Sequence, residues 1–195
     1  MFSNIMSCTR CALHQNQLPL LDKKYKADVF WVGLSAKKVE DIENDIPLSN
    51  DTNSGKIINR IESRFEEEIF YRTNLVKCVP LDRQGKLRYP DKKEKKVCFN
   101  NLLYEINLIN PKIVFLLGKE VANFILSNNG VDNYHLDEEY NYETYLLNGI
   151  FYVPVHHPSF IHVYRRKRID EYINGISDII YNTCINEDSS AQVAI

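Results

Sequence analysis

Four of the five cysteines in this chain are spaced as if to act together. Cys8 and Cys11 form a CxxC pair, and Cys78 and Cys98 make a second, more widely spaced pair. Four thiolates brought to one place hold either a structural zinc ion or an iron–sulfur cluster. The second pair is not a CxxC, so a zinc ribbon built from two knuckles fits poorly. The plain alternative is a set of buried, unligated thiols. Cys184 has no partner near it in sequence and reads as an ordinary thiol.

Three other segments carry side chains suited to recognition and to acid–base work. The first runs Gly33-Leu34-Ser35-Ala36-Lys37-Lys38-Val39-Glu40-Asp41. The second is Tyr71-Arg72-Thr73-Asn74-Leu75-Val76-Lys77-Cys78. The third is His156-His157-Pro158-Ser159, followed by Phe160 and the basic run Arg165-Arg166-Lys167-Arg168. Taken singly, each has a structural explanation. Asn74 can be a satisfied core amide, His157 a cap, the basic run a solvated face, and Glu40-Asp41 a helix start favoured by the dipole.

These segments matter only if something positions them. Four apolar runs read as buried strands: Val29–Ser35, Ile69–Val76, Ile113–Gly118 and Ile150–His157. Helical patterns lie between them. Ser54 is placed to cap a helix through Ile57, Ile58, Ile61 and Phe65. Val97–Asn110, Lys119–Leu126 and Ile169–Tyr181 also repeat apolar residues at helical spacing. Strands alternating with helices predict an α/β fold with a parallel sheet covered on both faces. Ligands of such sheets sit at the carboxyl ends of the strands, where all three segments would fall. Asp82–Lys96 and Ser127–Asn148 read as polar insertions, and residues 186–195 as a flexible tail after a single domain at 1–185.

The chain has 195 residues, 44% hydrophobic and 26% charged, which excludes global disorder, collagen and coiled coil. Lys plus Arg total 24 against 26 for Asp plus Glu, so net charge announces no nucleic-acid partner. The N-terminal stretch has neither a basic region nor an unbroken apolar run, so no secretory signal is expected. The charge-free stretch Thr144–Tyr164 is broken by Pro154, Pro158 and Gly149, which excludes a membrane helix there. A reducing cytoplasm is the expected compartment for these thiols.

In their order along the chain, these elements resemble the iron–sulfur branches of the uracil-DNA glycosylase superfamily, families 4 and 5. The resemblance rests on the CxxC start, the strand ending in Gly33, the TNLVKC segment, the later Cys98, PKIVFLLGKEVANFIL and HHPSF. It spans about residues 5–180. It implies a three-layer α/β/α sandwich around a four-stranded parallel sheet. It implies a 4Fe–4S cluster on Cys8, Cys11, Cys78 and Cys98, with structural zinc as the alternative. It makes Asn74 the reader of an everted base and His157 the donor to the base oxygen. Ser159 and Phe160 would press on the DNA.

The departures from the family pattern are as informative as the matches. Leu34 stands where family 4 has the water-polarising Glu of GEAPG, although family 5 also has Leu there. Glu40 and Asp45 are then the expected water-activating carboxylates, with Ser35 and Lys37 as further contacts. Leu48 replaces the family's stacking Phe and leaves room for a bulkier base. Tyr134, Tyr140, Tyr142 and Tyr145 are expected to line that enlarged pocket. Lys92, Lys93 and Arg165–Arg168 are expected to meet DNA phosphates. The resulting expectation is a monomeric DNA glycosylase with no membrane partner, acting on a modified base, with glucosylated hydroxymethylcytosine of phage DNA as the sharper expectation. The alternatives are a uracil or deaminated-base repair enzyme and a non-hydrolytic DNA-binding or DNA-trapping relative. An electron carrier would leave the strand-end loops unexplained.

Overall fold

In the computed structural model, residues 2–185 are described; the expected tail at 186–195 lies outside them. The strands are β1 (Val29–Ser35), β2 (Phe70–Val76), β3 (Ile113–Leu117), β4 (Tyr145–Leu147) and β5 (Ile150–Val155). They form one sheet in the order β2-β1-β3-β5-β4. The β1–β2, β1–β3 and β3–β5 pairs are parallel. β4 pairs antiparallel with β5. The sheet therefore has five strands, one more than expected. The extra strand comes from the stretch read as a polar insertion. It is joined to β5 by Asn148-Gly149, both at positive φ (53° and 80°), as a two-residue hairpin turn requires.

The helices are α1 (Ser3–Met6), α2 (Asn53–Glu62), α3 (Lys92–Ile109), α4 (Lys119–Asn128), α5 (Pro158–Tyr164) and α6 (Ile169–Ile180). Alternation along β1 explains the layering. Phe30 and Val32 point into a core with Leu102 and Ile106 of α3 and Ile125 of α4. Val29 and Trp31 point the other way, toward Ile57 and Ile61 of α2, Ile161 of α5 and Ile173 and Ile176 of α6. The central strands are buried on both faces, so they read as unbroken apolar runs rather than alternating ones.

Two helix starts differ from the sequence expectation. Thr52, not Ser54, caps α2: its Oγ1 accepts the Gly55 N–H at 2.9 Å. α3 begins at Lys92 rather than Val97, because Asp91 and Glu94 form a reciprocal capping box. The last third of the expected polar insertion, Lys92–Lys96, is thus the start of a helix. No helix among the described residues is long and apolar enough to cross a membrane.

Candidate active site

From β1 the chain passes to β2 on one side and then returns past β1 to β3 on the other, so the strand order reverses beside β1. At the carboxyl ends of the strands a cavity of about 480 Å³ opens. Gly33–Val39 line it from the end of β1, Asn74 from β2, and His157 and Ser159 from the segment after β5. Leu48 also lines it. The expected substrate contacts Gly33, Leu34, Ser35, Lys37, Leu48, Asn74 and Ser159 thus share one cavity with His157.

Asn74 is 3% exposed, yet its carboxamide makes no hydrogen bond to any described residue. A buried amide normally has partners. Its donors and acceptor are thus left open on the wall of the cavity. Two features hold it in place. Lys77 Nζ donates to the Asn74 carbonyl at 2.6 Å. Gly33 leaves the space the amide occupies, because a Cβ there would collide with Asn74 Oδ1.

Lys77 is wholly buried and forms an ion pair with equally buried Glu105. Glu105 also accepts from Tyr71 Oη at 2.9 Å and from Thr73 Oγ1 at 3.1 Å. Burial pushes the Glu105 carboxyl up, and Lys77 opposes the shift. The Lys77 backbone N–H donates to Cys98 Sγ at 3.3 Å. One residue therefore joins the base of the cavity to the cysteines.

His157 has two roles, one for each ring nitrogen. Nδ1 accepts the Ser159 N–H at 3.2 Å and so caps α5. An N–H can only donate, so Nδ1 is unprotonated and the ring proton sits on Nε2. Burial, and secondarily the charge of Lys37, pulls the His157 pKa down to about 4. The ring is neutral at physiological pH and offers an Nε2–H to the cavity.

Glu40 and Asp45 are not on the cavity wall. Glu40 is exposed, and Asp45 accepts the Asp41 N–H at 3.3 Å. Among the described lining residues the only carboxylate is Asp51. Its hydrogen bond from Ser49, with smaller help from Lys37 and Lys56, keeps it below the usual carboxylate range. Sequence reading missed Asp51 because its placement depends on the turn before it. Leu48 adopts φ 55°, an uncommon conformation for a leucine. Arg72 Nη1 holds the Leu48 carbonyl at 2.8 Å while the rest of its guanidinium pairs with Glu62. Gly55 permits the close approach, since a Cβ there would strike the Leu48 and Ser49 carbonyls.

Tyr134, Tyr140, Tyr142 and Tyr145 do not line this cavity, contrary to expectation. Tyr140 and Tyr142 pack against Tyr172 and His156 instead. The basic run is also not a set of four free cations. Arg165 pairs with Glu138, and Arg168 with Glu139 at 2.6 Å and Glu171 at 2.7 Å. Arg166 and Lys167 are exposed and unpaired among the described residues. Lys92 and Lys93 are exposed in the first turn of α3, outside the cavity wall.

Cys8, Cys11, Cys78 and Cys98 lie near one another, with Cys78 and Cys98 in the core shared with α3 and α4, and none is in a disulfide. Burial, then the neighbouring Cys98, Cys11 and Cys8, pushes the Cys78 thiol up to about 12. Burial alone would raise Cys8 too, but the Arg10 hydrogen bond leads a set of contacts that hold it lower. Arg10 Nε reaches Cys8 Sγ at 3.4 Å, and Asn101 Nδ2 reaches Cys8 and Cys98 at 3.6 and 3.8 Å. No three His, Cys, Asp or Glu side chains among the described residues are grouped to hold a single metal ion.

A parallel-centred sheet with an unpaired amide and a neutral imidazole at one switch-point cavity defines an α/β protein with a polar binding cavity. Residues 18–178 match the family described as the Uracil DNA glycosylase superfamily, and the chain belongs to that family. It is similar to the Type-4 uracil-DNA glycosylase of Thermotoga maritima, with 26% identity over 161 residues covering 80% of this chain and 79% of the relative. The Type-4 uracil-DNA glycosylase of Sulfurisphaera tokodaii is 28% identical over 166 residues, 80% of this chain and 71% of the relative. That of Archaeoglobus fulgidus is 28% identical over 128 residues, 63% of this chain and 60% of the relative. The crystal structure of wild-type Pedobacter heparinus SMUG2 has the same fold, with a TM-score of 0.57 at 16% identity over 80% of this chain and 76% of that one.

Proposed function

We propose that this protein is a monofunctional DNA glycosylase that everts a base into the cavity and hydrolyses its N-glycosidic bond. The observation that carries this reading is the pair of open hydrogen-bonding groups, the Asn74 amide and the His157 Nε2–H, on one cavity wall. A base inside a duplex is unreachable, so it must leave the stack. Asn74 then reads its edge. As the C1′–N bond breaks, its electron pair moves onto the base. His157 Nε2–H meets the oxygen where that charge gathers, without a prior change of protonation. A water oxygen bonds to C1′, and its proton passes to a carboxylate. Asp51 is the carboxylate on the cavity wall, so it takes the role expected of Glu40 or Asp45. Ser159 and Phe160 face the strand beside the everted nucleotide, and Arg166, Lys167, Lys92 and Lys93 are the free cations for its phosphates.

Cys8, Cys11, Cys78 and Cys98 are the residues that would hold a 4Fe–4S cluster. Two things support it: four mutually close thiols, and N–H donors aimed at two of their sulfurs. Zinc needs all its sulfurs about 2.3 Å from one point, whereas a cluster holds them at its corners. The cluster would tie α3 and the N-terminal segment to the end of β2, away from the reaction.

The names of the relatives favour uracil as the base. Two features favour something larger: Leu48 in place of a planar ring, and hydroxyls and Lys37 on a cavity wider than a lone pyrimidine fills. A polar-substituted base such as glucosylated hydroxymethylcytosine suits that lining. The test offers strands bearing uracil, hypoxanthine or glucosylated hydroxymethylcytosine and scores alkali-labile abasic sites. Release from the glucosylated base supports the larger substrate, and release of uracil alone removes it. Retarded DNA with no abasic site from any strand overturns the enzymatic reading in favour of a non-hydrolytic binder.

A further inference from the structure

Beside the first cavity lies a second of about 420 Å³. The two share Leu34, Tyr89, His157 and Ser159 as a common wall. Beyond that wall the second cavity is bordered by Phe160, Val163 and Tyr164 of α5 and by Lys119 and Glu120 at the start of α4. Glu120 pairs with Lys95 at 3.0 Å, which leaves Lys119 as the unbalanced charge of this rim.

The aromatic rings here are unusually bare for side chains of their size. Tyr89 and Tyr164 are each 73% exposed, and Phe160 is 38% exposed. Phe160 and Tyr164 nevertheless have ring contacts, and the backbone at Tyr89 is held. Phe160 stacks on His156 with ring centroids 5.7 Å apart and 16° between planes. Tyr164 lies 5.2 Å from Phe160. His156 is itself held by Tyr142 Oη at 2.8 Å. On the other side, Tyr89 follows Arg88, whose guanidinium is clamped by Glu94 and by the Leu81 carbonyl. Rings presented edge or face to solvent on a rigid support lose little freedom when something planar stacks on them.

We propose that the second cavity receives the unpaired nucleobase next to the everted one, stacked among Tyr89, Phe160 and Tyr164. This rests on the glycosylase reading, which threads one strand through the first cavity. The shared wall at His157 places the neighbouring nucleotide at the second, and Lys119 stands where its phosphate passes. Stacking on aromatic side chains is insensitive to base identity because every base has a planar face. The neighbour must leave its own partner to enter, so the protein prefers single-stranded or locally unpaired DNA.

The test is a cycle between a ring and a base. Affinity is measured for single strands whose target nucleotide carries a 2′-fluorine to block cleavage. The nucleotide on each side in turn is either intact or an abasic tetrahydrofuran. For the wild type, removing the neighbour on one side weakens binding roughly 5- to 100-fold, the range expected for one stacked base. In Tyr89→Ser and Tyr164→Ser, both surface changes that leave the core intact, the same removal costs little. Binding of the wild type that ignores both neighbours overturns this inference alone. So does a neighbour effect that both variants retain in full. Failure to bind any of the strands overturns it together with the glycosylase reading.

Discussion

His157 provides the sharpest quantitative prediction, because its proposed role requires a ring that is neutral throughout the working range. An unperturbed histidine titrates near 6.5, and burial with the charge of Lys37 brings this one to about 4. At 1.36 kcal/mol per unit this is worth about 3 kcal/mol between the protonation states. The sign follows from proton counting. Between pH 4 and 6.5 the unfolded chain binds a proton that the folded one does not, so stability rises with pH across that window. The contribution is complete above about 6.5 and is lost as pH falls toward 4. Excision should therefore show no acid limb near 6.5 under single-turnover conditions, and His157→Ala should lower the rate about 100- to 1000-fold at all pH values tested. Lys37→Ala should move the ring's titration upward. Long-range nitrogen–proton NMR of the free protein should show the proton on Nε2. An acid limb near 6.5 that vanishes in His157→Gln, or a proton found on Nδ1, would refute the argument.

Four further outcomes are expected. Gly33→Ala should displace the Asn74 amide and lower excision at least tenfold while the thermal transition stays cooperative; unchanged rates would show that the amide does not read the base. Lys77→Met should destabilise the protein by about 3–5 kcal/mol in denaturant titration, because Glu105 is left buried without its partner, and Lys77→Met with Glu105→Leu should recover most of that loss. Asp51→Asn should reduce excision about 100-fold at unchanged DNA affinity, whereas Glu40→Gln and Asp45→Asn should each change it less than threefold; the reverse ranking would return the role to the loop after β1. Protein purified without oxygen should be coloured, with broad absorbance near ~400 nm that Cys78→Ser abolishes, and a colourless protein retaining zinc would exclude the cluster.

How much of this was legible beforehand depends on the range of the interactions involved. The four main strands were plain in the sequence because burial on both faces removes polar residues from them, as in Ile113–Leu117. β4 was not, since three residues with Leu146 exposed make no apolar run, although Asn148-Gly149 was the local signal for its turn. The apolar periodicity places the start of α3 five residues late because its first turn is polar. The capping pair that starts it, Asp91 and Glu94, lies upstream of any apolar periodicity.

Within the site, the residues at strand ends were legible because a strand's carboxyl end fixes where the next side chain can point. Gly33, Asn74 and His157 each sit at such a place. The misjudged residues are those governed by contacts distant in sequence. Arg165 and Arg168 looked free until the fold brought Glu138 and Glu139 beside them. Asp51 lies on a segment whose course is set by Arg72, a side chain of β2 that no local pattern links to it. That dependence also explains why Asp51, rather than Glu40 or Asp45, lines the cavity without a local signal in the sequence. Replacing a family's glutamate by Leu34 does not oblige the substitute to lie nearby in sequence; it has only to face the same cavity. A left-handed Leu48, pinned by Arg72 and admitted by Gly55, is what turns the chain so that Asp51 does.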